Sequence, residues 1–199
     1  MIDVDVIADP AAAAVALEPV RARLLAELAA PASAAALAAR LGMARQKVNY
    51  HLRTLEAHEL VHVAEERQWG GLTERLLVAS AASYVVSPEA LGPAAADPKR
   101  NADRLSASYA IALAARIVRE VGDLWRRARA ADKRLATLSI DTEIRFASAA
   151  DRAAFTRDLT QAVTALAARY HAASAPDGRP HRLIVVAHPT PGGSSRKVT

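Results

Sequence analysis

A single glycine, Gly42, set between two stretches of helical periodicity, constrains this chain more than any other feature. Before it, Ser33 to Leu41 reads as a short helix capped by the Ser33 hydroxyl, with Leu37 and Leu41 facing inward. Gly42 then stands where a helix ends on a left-handed residue. Periodicity resumes from Ala44 to about Ala57, where Val48, Leu52 and Leu55 share one face. The other face carries Arg45, Gln46, Asn49, Tyr50 and Arg53. Upstream, Asp9 and Pro10 open a helix to Leu17. A second helix from Glu18 to Ala29 places Val20, Leu24, Leu25 and Leu28 at helical spacing and stops at Pro31.

Helix, tight turn and second helix with a polar outer face form the helix-turn-helix pattern. Charge adds to it. No acid occurs from Leu28 to Leu55, whereas Arg40, Arg45, Lys47 and Arg53 all fall there. The window is local, because up to Pro88 eight Lys and Arg face ten Asp and Glu. The net charge of +5 arises beyond Pro88, so overall basicity is a poor argument for an anionic partner. A carboxylate in the window would repel a phosphate backbone. A second helix lying in the major groove needs side chains that reach base edges. Arg45 can donate two hydrogen bonds to guanine, and Gln46 or Asn49 can pair bidentately with adenine. Tyr50 suits a phosphate or a thymine methyl, while Lys47 and Arg53 suit phosphates. An ordinary solvated helix face is the plainer reading, and the segment that follows weighs against it. Leu60 to Glu65 and Arg75 to Ala79 read as strands, with Gly70-Gly71 marking a hairpin turn between them. That hairpin sits where a wing belongs, with Arg67, Gln68 and Trp69 near its tip. Ser83 to Val86 reads as a further strand.

Ala34-Ala35-Ala36-Leu37-Ala38-Ala39-Arg40-Leu41-Gly42-Met43 and Val48-Asn49-Tyr50-His51-Leu52-Arg53-Thr54-Leu55-Glu56 together resemble the arsenic-repressor-like (ArsR) group of winged helix-turn-helix regulators. Gly70-Gly71-Leu72-Thr73-Glu74-Arg75 is similar to the wing of a non-metal branch common in actinobacteria. The resemblance covers about 9–92. It implies a dimer on double-stranded DNA, usually a repressor released by a signal. Two departures stand out. The family usually has Gly where this chain has Glu59, so a different geometry is expected at that corner. Its metal sensors use cysteines before the turn or Asp and His on the dimer helix. Here there is no cysteine, and 101–133 holds no histidine, so no metal or other cofactor is expected. His51 matches the family's recognition-helix histidine, which packs or positions that helix. His58 and His62 straddle a helix end, a poor arrangement for shared ligation.

Alanine, about a quarter of the chain, is the best helix former, and the expected fold is mainly α with small β elements. The N-terminal winged helix-turn-helix, 1–92, is followed by a C-terminal α/β dimerisation or effector unit, 93–188, and a disordered tail, 189–199. Ser87 to Asp97, with three prolines and Gly92, marks the boundary. A long helix of about Asn101 to Lys133 has an apolar surface wider than one small domain needs, which suggests a second copy of the chain. Leu138 to Phe146 alternates as a half-buried strand, Ser148 and Asp151 open another helix, and Leu183 to Ala187 reads as a buried strand. A pocket between that sheet and the long helix would take a small-molecule effector. Asp141 and Glu143 on the strand's wet face are compatible with acid-base chemistry, but any sheet with one wet face alternates so, and no enzyme is expected. An acidic N-terminus and the lack of a roughly 20-residue apolar run point to a cytoplasmic protein without membrane contact. The alternative function is a protein- or RNA-binding winged helix without operator specificity.

Overall fold

The computed structural model describes residues 2–69 and 71–191, except for the side chains of Trp69 and Leu72. About half of the chain is helical, with two small sheets. It divides into two compact units, Met1–Leu135 and Ala136–Thr199.

The first unit begins with β1 (Ile2–Ile7), α1 (Pro10–Leu17) and α2 (Pro19–Glu27). The Asp9 and Glu18 carboxylates accept amides in the first turns of α1 and α2, at 2.8 and 3.0 Å. β2 (Ala32–Ser33) leads into α3 (Ala34–Leu41), whose first turn is capped by the Ser33 hydroxyl. Gly42 closes α3 at φ 63°, and α4 (Arg45–Ala57) follows. β3 (Val61–Trp69) and β4 (Leu72–Ala79) form an antiparallel hairpin, and β4 also pairs with β2. Leu24, Leu28, Leu37, Val48 and Leu55 have no measurable exposure and form the core between the four helices and this sheet. Burying each such side chain contributes about 1.5–3 kcal/mol, which is what holds the helix-turn-helix in shape.

β5 (Ala81–Val86) pairs in parallel with β1, from Ile2 against Ala81 to Ile7 against Val86. Tyr84 of β5 donates its hydroxyl to the Leu60 carbonyl at 2.7 Å and accepts the Ala81 amide, tying this second sheet to the base of the hairpin. Desolvation of its half-buried ring raises the phenol above its ordinary pKa.

Two short 3₁₀ segments, Pro88–Ala94 and Pro98–Arg100, precede α5 (Ala107–Ala130). The proline-rich stretch expected to separate two domains instead holds α5 within the first unit. Asp97 pairs with Arg116 of α5 at 3.6 Å, and Ala112 and Ala115 are buried. Gly122 lets β1 come close. A Cβ there would lie 2.9 Å from Val6 Cγ1. The opposite side of α5 stays open, with Ile117, Val121 and Leu124 each 41–45% exposed. Arg127 and Arg129 in its last turn complement the helix dipole, and Arg129 also lies over the Trp125 ring at 5.5 Å.

The second unit contains α6 (Ala149–Tyr170), capped by Ser148, whose hydroxyl accepts the Asp151 amide and donates to its carboxylate. The strands expected at Leu138–Phe146 and Leu183–Ala187 are not formed; among the described residues of this unit there is no strand, and the strand-helix-strand arrangement is corrected to one helix with irregular flanks. Alternation supplies an apolar face, but a strand exists only through a neighbour that accepts its ladder hydrogen bonds, and neither segment meets one among the described residues. The sheet on which the expected effector pocket depended is therefore not formed among the described residues. Of the expected disordered tail, 192–199 lie outside the described residues.

Candidate nucleic-acid interface

The second helix of the helix-turn-helix is positioned from within. Val48, His51, Leu52 and Leu55 are buried, and this anchors one side of α4 on α1, α2 and α3. The spacing then turns Arg45, Gln46, Lys47, Asn49, Tyr50 and Arg53 outward, and all six are exposed. Arg45, Asn49 and Arg53 succeed one another at i, i+4 and i+8, so they share a stripe along the axis, with Gln46 and Tyr50 beside it. Tyr50 stands 66% exposed, its ring edge-on to His51. An aromatic ring left so far in water on a helix is poised for a planar or apolar partner.

The surrounding charge favours an anion. Of the acids flanking the window, Glu27 pairs with Arg40 at 3.5 Å, and Glu56 takes both guanidinium nitrogens of Arg75 from β4. Both acids that bound the window are thus paired, although Glu56 shares the stripe of Arg45, Asn49 and Arg53 at the far end of α4. At its N-terminus, Ala44 holds the cap position and supplies no side-chain hydrogen bond. Of the first-turn amides, that of Lys47 donates to the Ala44 carbonyl at 3.0 Å, and those of Arg45 and Gln46 add the positive end of the helix dipole to the same face. Attention to side chains alone misses this contribution; the readable sign was an alanine where Ser, Thr, Asp or Asn would cap.

His51 behaves as expected for a packing residue. It is 7% exposed, neither ring nitrogen has a hydrogen-bond partner, and Nδ1 lies 4.0 Å from Glu18 Oε2. Burial works against the Glu18 charge, yet the Arg21 amide, the Arg21 guanidinium and His51 hold that carboxyl below its ordinary pKa.

The hairpin has the form of a wing. Trp69 pairs with Leu72 at the end of the hairpin, and Gly71 takes φ 86°. Arg67 projects near its tip but is forked onto Glu65 on the same strand, at 2.8 and 3.0 Å. A phosphate would have to compete with that carboxylate, so Arg67 is a weaker candidate than the α4 residues. The backbone of Trp69 ends β3, while its side chain lies outside what is described. Between helix and wing, Glu59 adopts φ 58°. The different geometry expected from the missing glycine does not arise: the corner keeps the left-handed turn, and Ser80 donates its hydroxyl to the Glu59 carbonyl. A non-glycine residue pays about 1–2 kcal/mol for that conformation. Glu59→Gly is accordingly expected to stabilise the unit by roughly 0.5–1 kcal/mol after the entropy of a freer unfolded chain is subtracted. A thermal melt raised by a few degrees would show it, and an unchanged or lowered melt would count against strain at this corner.

Under the same corner lies an open cleft of about 610 Å³, whose lining includes Ile7, Asp9, Glu56, His58, Val61 and Arg126. It touches β1, the end of α4, the start of β3 and the last turns of α5 at once. Among the described residues no group of three or more His, Asp and Glu could hold a metal ion, and no helix is long and apolar enough to cross a membrane.

Residues 16–64, from the end of α1 to the first residues of β3, match the family model of a helix-turn-helix domain. No curated protein matches the chain. The chain thus carries a helix-turn-helix domain in its N-terminal part, a domain type that suggests a DNA-binding regulator, with the candidate residues 45–53 inside the matched segment.

Proposed function

We propose that this chain is a sequence-specific transcriptional regulator of the ArsR-like kind, a homodimeric repressor that binds double-stranded DNA in the cytoplasm and is released by a non-metal small molecule. The observation that carries the reading is the outer face of α4: Arg45, Gln46, Lys47, Asn49, Tyr50 and Arg53 all exposed on a buried, rigid scaffold with no carboxylate among them. In the groove, Arg45, Gln46 and Asn49 read bases; Lys47, Tyr50 and Arg53 hold phosphates, with Arg67 and Trp69 following the backbone from the wing. The exposed apolar side of α5 supplies the contact to a second copy, so that two α4 helices meet two half-sites of a palindrome. Repression is steric, and the reading gives the chain no catalytic role.

The cleft beneath the Glu59 corner is where a small molecule would act in this scheme. A ligand there contacts α5 and the end of α4 together, and one that prefers a different spacing between them shifts the dimer away from the operator-binding arrangement.

Salt dependence separates duplex binding from the rival reading, a winged helix that docks on a protein. If each copy neutralises two or three phosphates, log affinity should fall linearly with log salt at a slope of about −4 to −5. Fluorescence anisotropy on labelled operator-sized duplexes between 50 and 300 mM salt measures it, those concentrations being chosen as roughly the range where counterion release dominates. A flat line would favour the protein partner.

A further inference from the structure

The unit Ala136–Thr199 has no buried residue among those described, although its apolar residues are spaced like those of a half-buried layer. Leu138 and Ile140 are each 83% exposed and Ile144 46%. Phe146 fares better: it is half-buried, its ring 5.3 Å from that of Phe155 on α6. That contact sets the C-terminal end of the even-numbered row against the side of α6 on which Phe155, Leu159 and Val163 are themselves half-buried, while Leu138 and Ile140 stay exposed. In an extended strand the odd-numbered row, Ser139, Asp141, Glu143 and Arg145, falls on the opposite face.

A row of this kind with an unpaired backbone is an edge that another strand can join. The segment's own charges select the strand. Antiparallel pairing of two identical copies keeps both apolar rows on one face only if the two-fold axis passes through a residue. An axis at Thr142 sets Asp141 against Glu143, and an axis at Asp141 or Glu143 sets a carboxylate against itself. Through Ile140 it pairs no charges at all. An axis at Ile144 sets Glu143 opposite Arg145 of the second copy, twice, places Ile144 on its own counterpart and opposes no like charges. Ser148, the cap of α6, marks where the pairing stops.

We infer that a second copy of this chain completes the C-terminal unit by antiparallel pairing of 141–147 about Ile144, with both α6 helices on the apolar face of the ribbon. The interface is additional to the one proposed for α5, and its occupant is a second copy because the edge is complementary in charge to itself.

The chain has no cysteine, so one introduced cysteine reports directly on the axis. Under mild oxidation, full-length Ile144→Cys should form a reducible covalent dimer at least ten-fold faster than Ser139→Cys, which the same axis places opposite residue 149. In the Ile144→Cys background, Glu143→Arg or Arg145→Glu should each slow cross-linking several-fold, and the two together should restore it. All these positions are exposed, so circular dichroism should stay unchanged and keep folding out of the comparison. Ile144→Cys linking no faster than Ser139→Cys, or no recovery in the double charge swap, overturns the inference. Sedimentation of the parent keeps the two readings apart: a dimer that leaves Ile144→Cys unlinked overturns this pairing and spares the α5 interface, whereas a monomer overturns both.

Discussion

Replacing Arg45 and Asn49 together by alanine is expected to abolish sequence-specific DNA binding while leaving the fold intact. Each bidentate base contact is worth about 1–3 kcal/mol of discrimination. Losing both removes about 2–6 kcal/mol per half-site, at least about 30-fold in affinity, and a dimer loses it twice. Folding should be nearly indifferent, because both side chains are exposed and no other residue depends on them for a buried contact. Alanine also exceeds asparagine in helix propensity by a few tenths of a kcal/mol, so α4 should persist. Residual binding should be that of Lys47, Arg53 and the first-turn amides, insensitive to sequence and steep in salt. Gel shifts with an operator recovered by genomic selection, against a scrambled duplex, measure the loss. Operator affinity unchanged in a folded double variant would remove α4 as the recognition helix.

How far the fold could be read from the chain depended on how local each interaction is. The α3–Gly42–α4 turn was legible because cap, periodicity and left-handed terminator fall within two dozen residues. The wing was legible for the same reason, its two strands flanking a pair of glycines in the sequence. β1 was not foreseen. Ile2–Ile7 acquires its meaning only from β5, some eighty residues away, and from the glycine at 122 that admits Val6. No window of sequence holds that information. Leu138–Phe146 shows the converse, a clear alternation with no partner strand among the described residues. The six helical candidates are brought onto one exposed face, as their spacing implied, whereas Arg67 is claimed by a carboxylate two residues away that periodicity did not weigh. At Glu59, residue preference pointed one way and the structure another. The Ser80 hydroxyl and the Leu60 carbonyl, which accepts both the Ser80 amide and the Tyr84 hydroxyl, hold the corner closed around an unfavourable residue.

The second large effect concerns α5. Its two sides are unequal: Ala112, Ala115 and Gly122 are buried against the first unit, and Ile117, Val121 and Leu124 face outward at i, i+4 and i+7. Substituting Ile117→Glu with Leu124→Glu leaves the buried side untouched, and glutamate is a good helix former, so the monomer should fold as before. In a dimer built on this face, four carboxylates would be forced into an apolar seam, where an unpaired charge costs several kcal/mol unless it takes up a proton. With Arg145→Glu added, so that the C-terminal pairing no longer holds the copies together, sedimentation should therefore show the dimer lost at about micromolar concentration. Operator binding should suffer more than the contacts to DNA explain, because a half-site held by one copy forfeits the effective concentration of the second. That loss is about 10²–10⁴-fold. The signature differs from that of the Arg45 and Asn49 variant: affinity for a single half-site is preserved, and only the advantage of the full palindrome disappears. A double glutamate variant that sediments and binds the palindrome like the parent would show that α5 is not the surface on which two copies meet.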